Sequence, residues 1–125
     1  MITLQIPKKR KGTGVYKRPE IPMWVVRVTV VEAHPDCGAK HKVGDTWEIA
    51  DVKKETIKGF ICPTAFYTLY PIIYVMRYGG EFPFAADPDS YEAVCPDFET
   101  PVKFRIERIR GKVWMAAEEK FIDEK

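Results

Sequence analysis

Segments in which apolar residues recur at every second position limit this chain to a fold built on a β-sheet. In residues 24–31 one face is entirely apolar, and residues 102–109 begin with apolar and charged residues in alternation. Such alternation is typical of a strand with one face in the core and the other in water. Residues 46–52 predict another strand, and residues 91–95 predict a short one. The sequence therefore predicts a small, mainly antiparallel sheet.

One helix is predicted over residues 63–78. Pro63 suits its first turn, where the missing N–H costs no hydrogen bond, and Gly79 and Gly80 favour a helix end. Pro71 is expected to kink the helix or split it in two, because proline removes a hydrogen bond and clashes with the preceding turn. The predicted apolar stripe comprises Phe66, Leu69, Tyr70, Ile73 and Met76.

These elements predict an α+β fold: a small, mainly antiparallel sheet or half-barrel with one Pro-kinked helical segment packed on it. The 125 residues fit a single domain, which we assign to residues 23–117. A basic arm (residues 1–22) precedes it, and a charged tail (residues 118–125) follows it. Residues 110–112 predict a hairpin turn, after which residues 113–117 return as a further strand.

The composition argues against several classes of protein. Three cysteines, an odd number, in a domain large enough to fold without bridges argue against a secreted disulfide framework. The net charge of +2 is too small to indicate a nucleic-acid or membrane partner. The longest apolar stretch, residues 61–76, is too short and too interrupted by proline to span a bilayer. With no signal peptide visible, we expect a soluble, cytoplasmic protein, and its oligomeric state, homodimer included, stays open.

Three cysteines and one histidine are the most informative candidate site residues. Cys37 and His41 share one loop, Cys62 lies where a loop meets the helix, and Cys95 lies where a strand meets a loop. Loops at element ends can direct side chains at a shared point. Three thiolates and an imidazole are a tetrahedral ligand set for zinc, and soft thiolates also suit iron. These residues are therefore candidate ligands of a metal site, which is closed if all four bind and open if one stays free, although their dispersed spacing is only a weak signal.

The same residues permit two other interpretations. Dispersed cysteines without a C-x2-C pair are typical of small packing side chains. In a metal-free alternative, Cys62 is a reactive thiol, because the positive end of the helix dipole favours a thiolate at a helix N-terminus. His41 then acts as a base, and Cys37 or Cys95 resolves an oxidised Cys62.

Two further features bear on function. Tyr70, Tyr74 and Arg77 are candidates to line a small-ligand pocket, although Arg77 also suits the negative end of the helix dipole. The basic arm supports a third class, a nucleic-acid-binding module acting through phosphate contacts. The arm carries only Tyr16 for base stacking, and the basic residues between 103 and 110 predict a solvated face, so nucleic acid is not the favoured partner.

Several blocks of sequence, in order, carry a resemblance to a known family. They are Cys37, His41-Lys42-Val43-Gly44-Asp45, Cys62-Pro63-x-Ala65-Phe66-x-x-Leu69-Tyr70-Pro71, Arg77-Tyr78-Gly79-Gly80-Glu81-Phe82-Pro83, Val94-Cys95-Pro96-Asp97 and Pro101-Val102-x-Phe104. Over residues 25–109 the chain resembles an uncharacterised family of small single-domain, cysteine-containing proteins found mostly in anaerobic prokaryotes. The resemblance implies that the three cysteines and His41 occupy the family's motif positions, and it implies no activity. Lys40 departs from the motif, which usually has a small residue before the histidine.

Overall fold

The computed structural model describes residues 21–50, 61–115 and 117–124. The elements found there are β1 (Pro22–Ala33), β2 (Thr46–Ile49), α1 (Pro63–Arg77), β3 (Ser90–Val94), β4 (Val102–Met115) and β5 (Lys120–Asp123). The strands form one antiparallel sheet in the order β2-β1-β4-β3, and β5 pairs with β4. The predicted α+β class with a mainly antiparallel sheet is confirmed. Most of the predicted basic arm, residues 1–20, lies outside the described residues.

The centre of the sheet is the long pairing of β1 with β4, which carries the core. Val28 pairs with Ile106 and Val30 with Phe104, and each of these four side chains is at most 1% exposed. The prediction that one apolar face of each strand points into the core is therefore confirmed over this region. Burying a side chain of this kind contributes roughly 1.5–3 kcal/mol, so these rows account for much of the sheet's stability.

The predicted hairpin turn at residues 110–112 is wrong, because β4 runs through them. The register against β1 moves from Ile109 to Val113 between successive β1 residues, and Gly111 has a φ of 110°. Glycine adopts this backbone conformation without a steric penalty, and the extra residues form an irregularity inside the strand. The chain reverses only after Met115, and β5 lies within the segment expected to be a charged tail.

α1 is one helix that continues through Pro71, so the predicted split is wrong. A bend at Pro71 and the curling of the sheet into a half-barrel stay predictions. The buried residues of α1 are Ala65, Leu69, Ile73 and Met76. This stripe packs on β1, β3 and β4, whereas Tyr70, which the sequence places in the stripe, is 49% exposed. Within the described part of the chain, no helix is long and apolar enough to cross a membrane.

A glycine turn and a buried arginine hold the C-terminal end of α1. Gly79, with a φ of 83°, donates its N–H to the Met76 carbonyl, and Gly80 donates to Val75, which is a Schellman motif. Arg108 continues the buried row of β4 and donates to the carbonyls of Met76 and Gly80. Arg108 is only 4% exposed, so the predicted solvated face is wrong for this residue.

Candidate functional site

A cavity of about 270 Å³ lies where the N-terminal end of α1 meets two loops of the sheet. It is lined by Cys37, Gly38, Ala39, His41, Cys62, Thr64, Ala65, Cys95, Asp97, Thr100 and Val102. The fold therefore gathers the three cysteines and His41, which are widely separated in the sequence, around one space.

The loop between β1 and β2 carries Cys37 and His41 to the inner wall of the cavity. The Cys37 N–H donates to the His34 carbonyl at 3.1 Å, and the Lys40 N–H donates to the Cys37 carbonyl at 3.0 Å. Lys40 has a φ of 61°, a left-handed conformation that costs a residue with a side chain roughly 1–2 kcal/mol. The chain turns sharply here, and both Cys37 and His41 are less than a tenth exposed.

Cys62 is the N-cap residue of α1, and Pro63 follows it in the first turn. The Cys62 carbonyl accepts the Phe66 N–H at 2.9 Å, but its side chain makes no capping hydrogen bond. Cys62 is half-buried and lines the cavity. Thr64 and Ala65 also line the cavity, so the positive end of the helix dipole borders it.

His41 is joined to Cys62 through the backbone of the latter. Nε2 of His41 accepts a hydrogen bond from the Cys62 N–H at 3.1 Å. In a neutral imidazole, an accepting Nε2 places the ring proton on Nδ1. The ring lies edge-on to Trp47 and Phe104, with centroids 5.2 and 6.0 Å away. His41 thus ties the β1–β2 loop to the start of α1.

Cys95 lies just after β3 and is paired with the first residue of β4. Its N–H donates to the Val102 carbonyl at 3.0 Å, and the Val102 N–H donates to the Cys95 Sγ at 3.3 Å. The second bond orients the Cys95 side chain at the edge of the cavity.

Asp97 closes the loop that follows Cys95. Its Oδ1 accepts the N–H groups of Glu99 and Thr100 at 3.0 and 3.3 Å, and its Oδ2 accepts the Thr100 hydroxyl at 2.9 Å. The Thr100 hydroxyl, and after it the two backbone N–H groups, hold the pKa of Asp97 below its ordinary value. A carboxylate charge therefore stands beside the cavity. Sequence reasoning assigned no role to Thr64, Asp97 or Thr100, although the Cys-Pro-Asp turn was a signal for Asp97.

Tyr70, Tyr74 and Arg77 do not line this cavity. Tyr70 and Tyr74 are half-exposed on the outer face of α1, with ring centroids 6.1 Å apart. Arg77 donates from Nη2 to the Ala50 carbonyl, just after β2, at 2.7 Å. That these three residues line a ligand pocket of their own stays a prediction.

The four candidate ligands share a cavity without surrounding a single point. Across the described residues, no group of three or more His, Cys, Asp or Glu side chains is placed to hold a metal ion. All three cysteines are free thiols. A cysteine sulfur changes position by rotation about one bond between staggered rotamers, so the donors can approach one another only if their side chains turn inwards.

Comparison of the chain with family models, with curated proteins and with solved structures finds no match. Membership of the family of small cysteine-containing proteins therefore stays a prediction. The function has to be argued from the chemistry of the site rather than from the fold.

Proposed function

We propose that this domain binds a thiophilic metal ion, zinc or iron, through the thiolates that line the cavity. The observation that carries the proposal is that Cys37, Cys62 and Cys95, which are all the cysteines of the chain, line the same cavity. Three cysteines that are distant in the sequence and line one space can offer several thiolates to a single ion. Thiolates select zinc and iron over magnesium and calcium, which prefer oxygen ligands.

The charges around the cavity support the proposal. Metal-bound cysteines are deprotonated, so the site has to accommodate several negative charges. The N-terminal end of α1 favours negative charge near Cys62. The carboxylate of Asp97 adds a further attraction for a cation at the cavity edge.

Metal analysis of the protein purified under reducing conditions tests the proposal. We expect about one zinc or iron ion per chain, because the cavity offers one set of thiols. Replacing any one cysteine by serine should weaken zinc binding by more than about 100-fold, since loss of an outer partner of a ligand already costs roughly 10–100-fold. Competition with a chromophoric chelator measures this affinity.

A matched control is the other histidine of the same loop. His34 does not line the cavity, so His34→Gln should leave zinc affinity unchanged. A chain that carries no metal, and that binds added zinc no more tightly than the variant with all three cysteines replaced by serine, contradicts the proposal.

A metal-free thiol site is the second candidate, and the placement of Cys62 favours it. Cys62 is half-buried at a helix N-terminus, and its side chain is not used for capping. A nucleophilic thiol needs such access and such surroundings. However, Nε2 of His41 accepts the Cys62 amide, so this bond gives no support for His41 as a base. In variants that retain one thiol each, Cys62 should react fastest with iodoacetamide, and equal rates would count against this candidate.

The third candidate, a nucleic-acid-binding module acting through the basic arm, depends mainly on residues outside the described part of the chain. It predicts salt-sensitive binding to DNA or RNA that is lost when residues 1–18 are deleted. Absence of binding at low salt would remove it.

A further inference from the structure

We propose that His41 is a positioning residue, and that three cysteine thiolates alone hold the metal and leave a fourth coordination position open. This inference rests on the proposed function and concerns the geometry of the same site. It replaces the four-ligand set predicted from the sequence with three ligands and one positioning histidine.

The hydrogen bond between His41 and Cys62 is the first argument. A metal–imidazole bond at Nε2 requires the lone pair of that nitrogen, and this lone pair already accepts the Cys62 N–H at 3.1 Å. Ligation through Nε2 would take the acceptor away from an amide at the start of α1, where backbone N–H groups have no helical partner.

The packing of the imidazole ring is the second argument. His41 is 6% exposed, and its ring lies edge-on to Trp47 and Phe104, which are themselves buried. Among the described residues, His41 belongs to no group placed to hold a metal, so ligation through either ring nitrogen would require the ring to move and would break these contacts in a close-packed core. The thiols differ in this respect, because each reaches a new position by rotation about one bond.

The same hydrogen bond explains what His41 does. It fixes the backbone of Cys62, and therefore the origin of the Cys62 side chain, relative to the loop that carries Cys37. The bond from the Cys95 N–H to the Val102 carbonyl fixes the backbone of Cys95 in a comparable way and leaves its side chain able to rotate. Such outer partners orient metal ligands and are worth roughly 10–100-fold in affinity.

The size and lining of the cavity indicate what completes the coordination. Its volume is about 270 Å³, whereas one water occupies roughly 30 Å³ in the liquid. The cavity therefore has room for a small ligand beside a metal ion. The first turn of α1 borders it through Thr64 and Ala65, and helix N-termini favour anions. The open position therefore suits water, hydroxide or a small anion, as in zinc sites that exchange a ligand.

Cadmium-113 NMR on protein with nitrogen-15-labelled histidine tests the ligand set directly. We expect one bound cadmium that couples to the β-protons of all three cysteines and shows no coupling to a nitrogen of His41. Coupling to a His41 nitrogen overturns the inference and leaves the proposed function intact. Absence of any coupling to cysteine at one cadmium per chain overturns the proposed function, and the inference with it.

Two substitutions separate positioning from ligation. His41→Gln offers a carbonyl that can accept the Cys62 N–H, so zinc affinity should stay close to that of the unchanged protein. His41→Phe retains an aromatic ring without an acceptor and should weaken zinc binding roughly 10–100-fold. Equal large losses in both variants, or no loss in either, would overturn the positioning role. If His41→Phe does not fold, the NMR experiment still decides.

The open position has its own test. Cobalt-loaded protein should change its visible spectrum when azide is added, because azide can enter a vacant coordination position. A spectrum that azide leaves unchanged would overturn the open position.

Discussion

Arg108→Met measures how strongly the fold depends on one buried guanidinium. The Arg108 side chain is 1% exposed and donates to Asp89 Oδ1 at 2.9 Å. It also donates to the carbonyls of Met76, Gly80 and Pro88 at 3.0, 2.9 and 2.7 Å. Methionine fills much of the same volume but donates no hydrogen bond. Asp89 is partly exposed and keeps Arg110 as a partner, and the exposed Pro88 carbonyl regains water. The loss therefore comes mainly from the Met76 and Gly80 carbonyls, which no longer receive the guanidinium donor, and we expect about 1–3 kcal/mol for each.

Urea unfolding at pH 7, followed by tryptophan fluorescence, measures this loss. The matched control is Arg105→Met on the same strand, because Arg105 is 46% exposed and its ion pair with Glu92 is 3.9 Å long. An exposed pair contributes about 0–1 kcal/mol, so the control should change little. Arg108→Lys keeps the charge with fewer donors, so its loss in free energy of unfolding should lie between those of the two methionine variants. If the two methionine variants differ by less than about 1 kcal/mol, the buried guanidinium does not stabilise the fold as argued.

Three further predictions concern stability. Burial raises the pKa of Asp89, but hydrogen bonds and charges from Arg110 and Arg108 lower this pKa by more. The stability that the Asp89 carboxylate contributes should therefore be lost as the pH falls below about 4. Urea midpoints between pH 6 and 3 check this, and Asp89→Asn should flatten the profile. Gly79→Ala should destabilise by roughly 1–2 kcal/mol in thermal unfolding, because φ is 83° and a Cβ would stand 2.9 Å from the Trp24 ring, whereas Gly38→Ala meets nothing within 4 Å and should be neutral. Deleting residues 118–125 removes β5 and should cost about 1–3 kcal/mol in urea unfolding, while an unchanged midpoint would mean that β5 adds nothing.

The central sheet was predictable because burial and alternation agree in β1 and β4. The turn at residues 110–112 was not, since glycine between two cations is a signal for a turn and equally for an irregularity inside a strand. Whether β4 continues past Gly111 depends on β5, which pairs with the end of β4. This pairing places the Phe121 ring against Trp114, with centroids 5.1 Å apart. A strand so short and so charged carries no periodic signal of its own.

Arg108 shows a conflict that sequence patterns do not resolve. Its position continues the inward row of β4, while its charge favours the solvent. The carbonyl acceptors that make burial acceptable come from residues 76, 80 and 88, which the sequence does not place near it. Tyr70 presents the reverse case, because helical spacing allows it in the stripe but the line through Ala65, Leu69 and Ile73 leaves it outside.

The membership of the cavity was partly predictable, but its internal bonding was not. Cysteines at the ends of elements pointed to a shared space, and the antiparallel pairing supplies it. The bond from the Cys62 amide to His41 depends on how Trp47 and Phe104 hold the ring, which is a property of the packed core. Whether donors converge within bonding distance is set by the same packing.

The two ends of α1 have different tasks, and the sheet topology explains why. Ala33 at the end of β1 pairs with Val102 at the start of β4. The loops that follow β1 and precede β4 therefore leave the sheet at the same end of these strands, where α1 begins. Arg108 and the glycine turn anchor the opposite end of α1. Stability and ligand chemistry are therefore separated along one helix. It follows that Arg108→Met should lower the free energy of unfolding while leaving the zinc affinity of the folded protein unchanged. A parallel fall in zinc affinity would mean that the anchor also sets the geometry of the cavity.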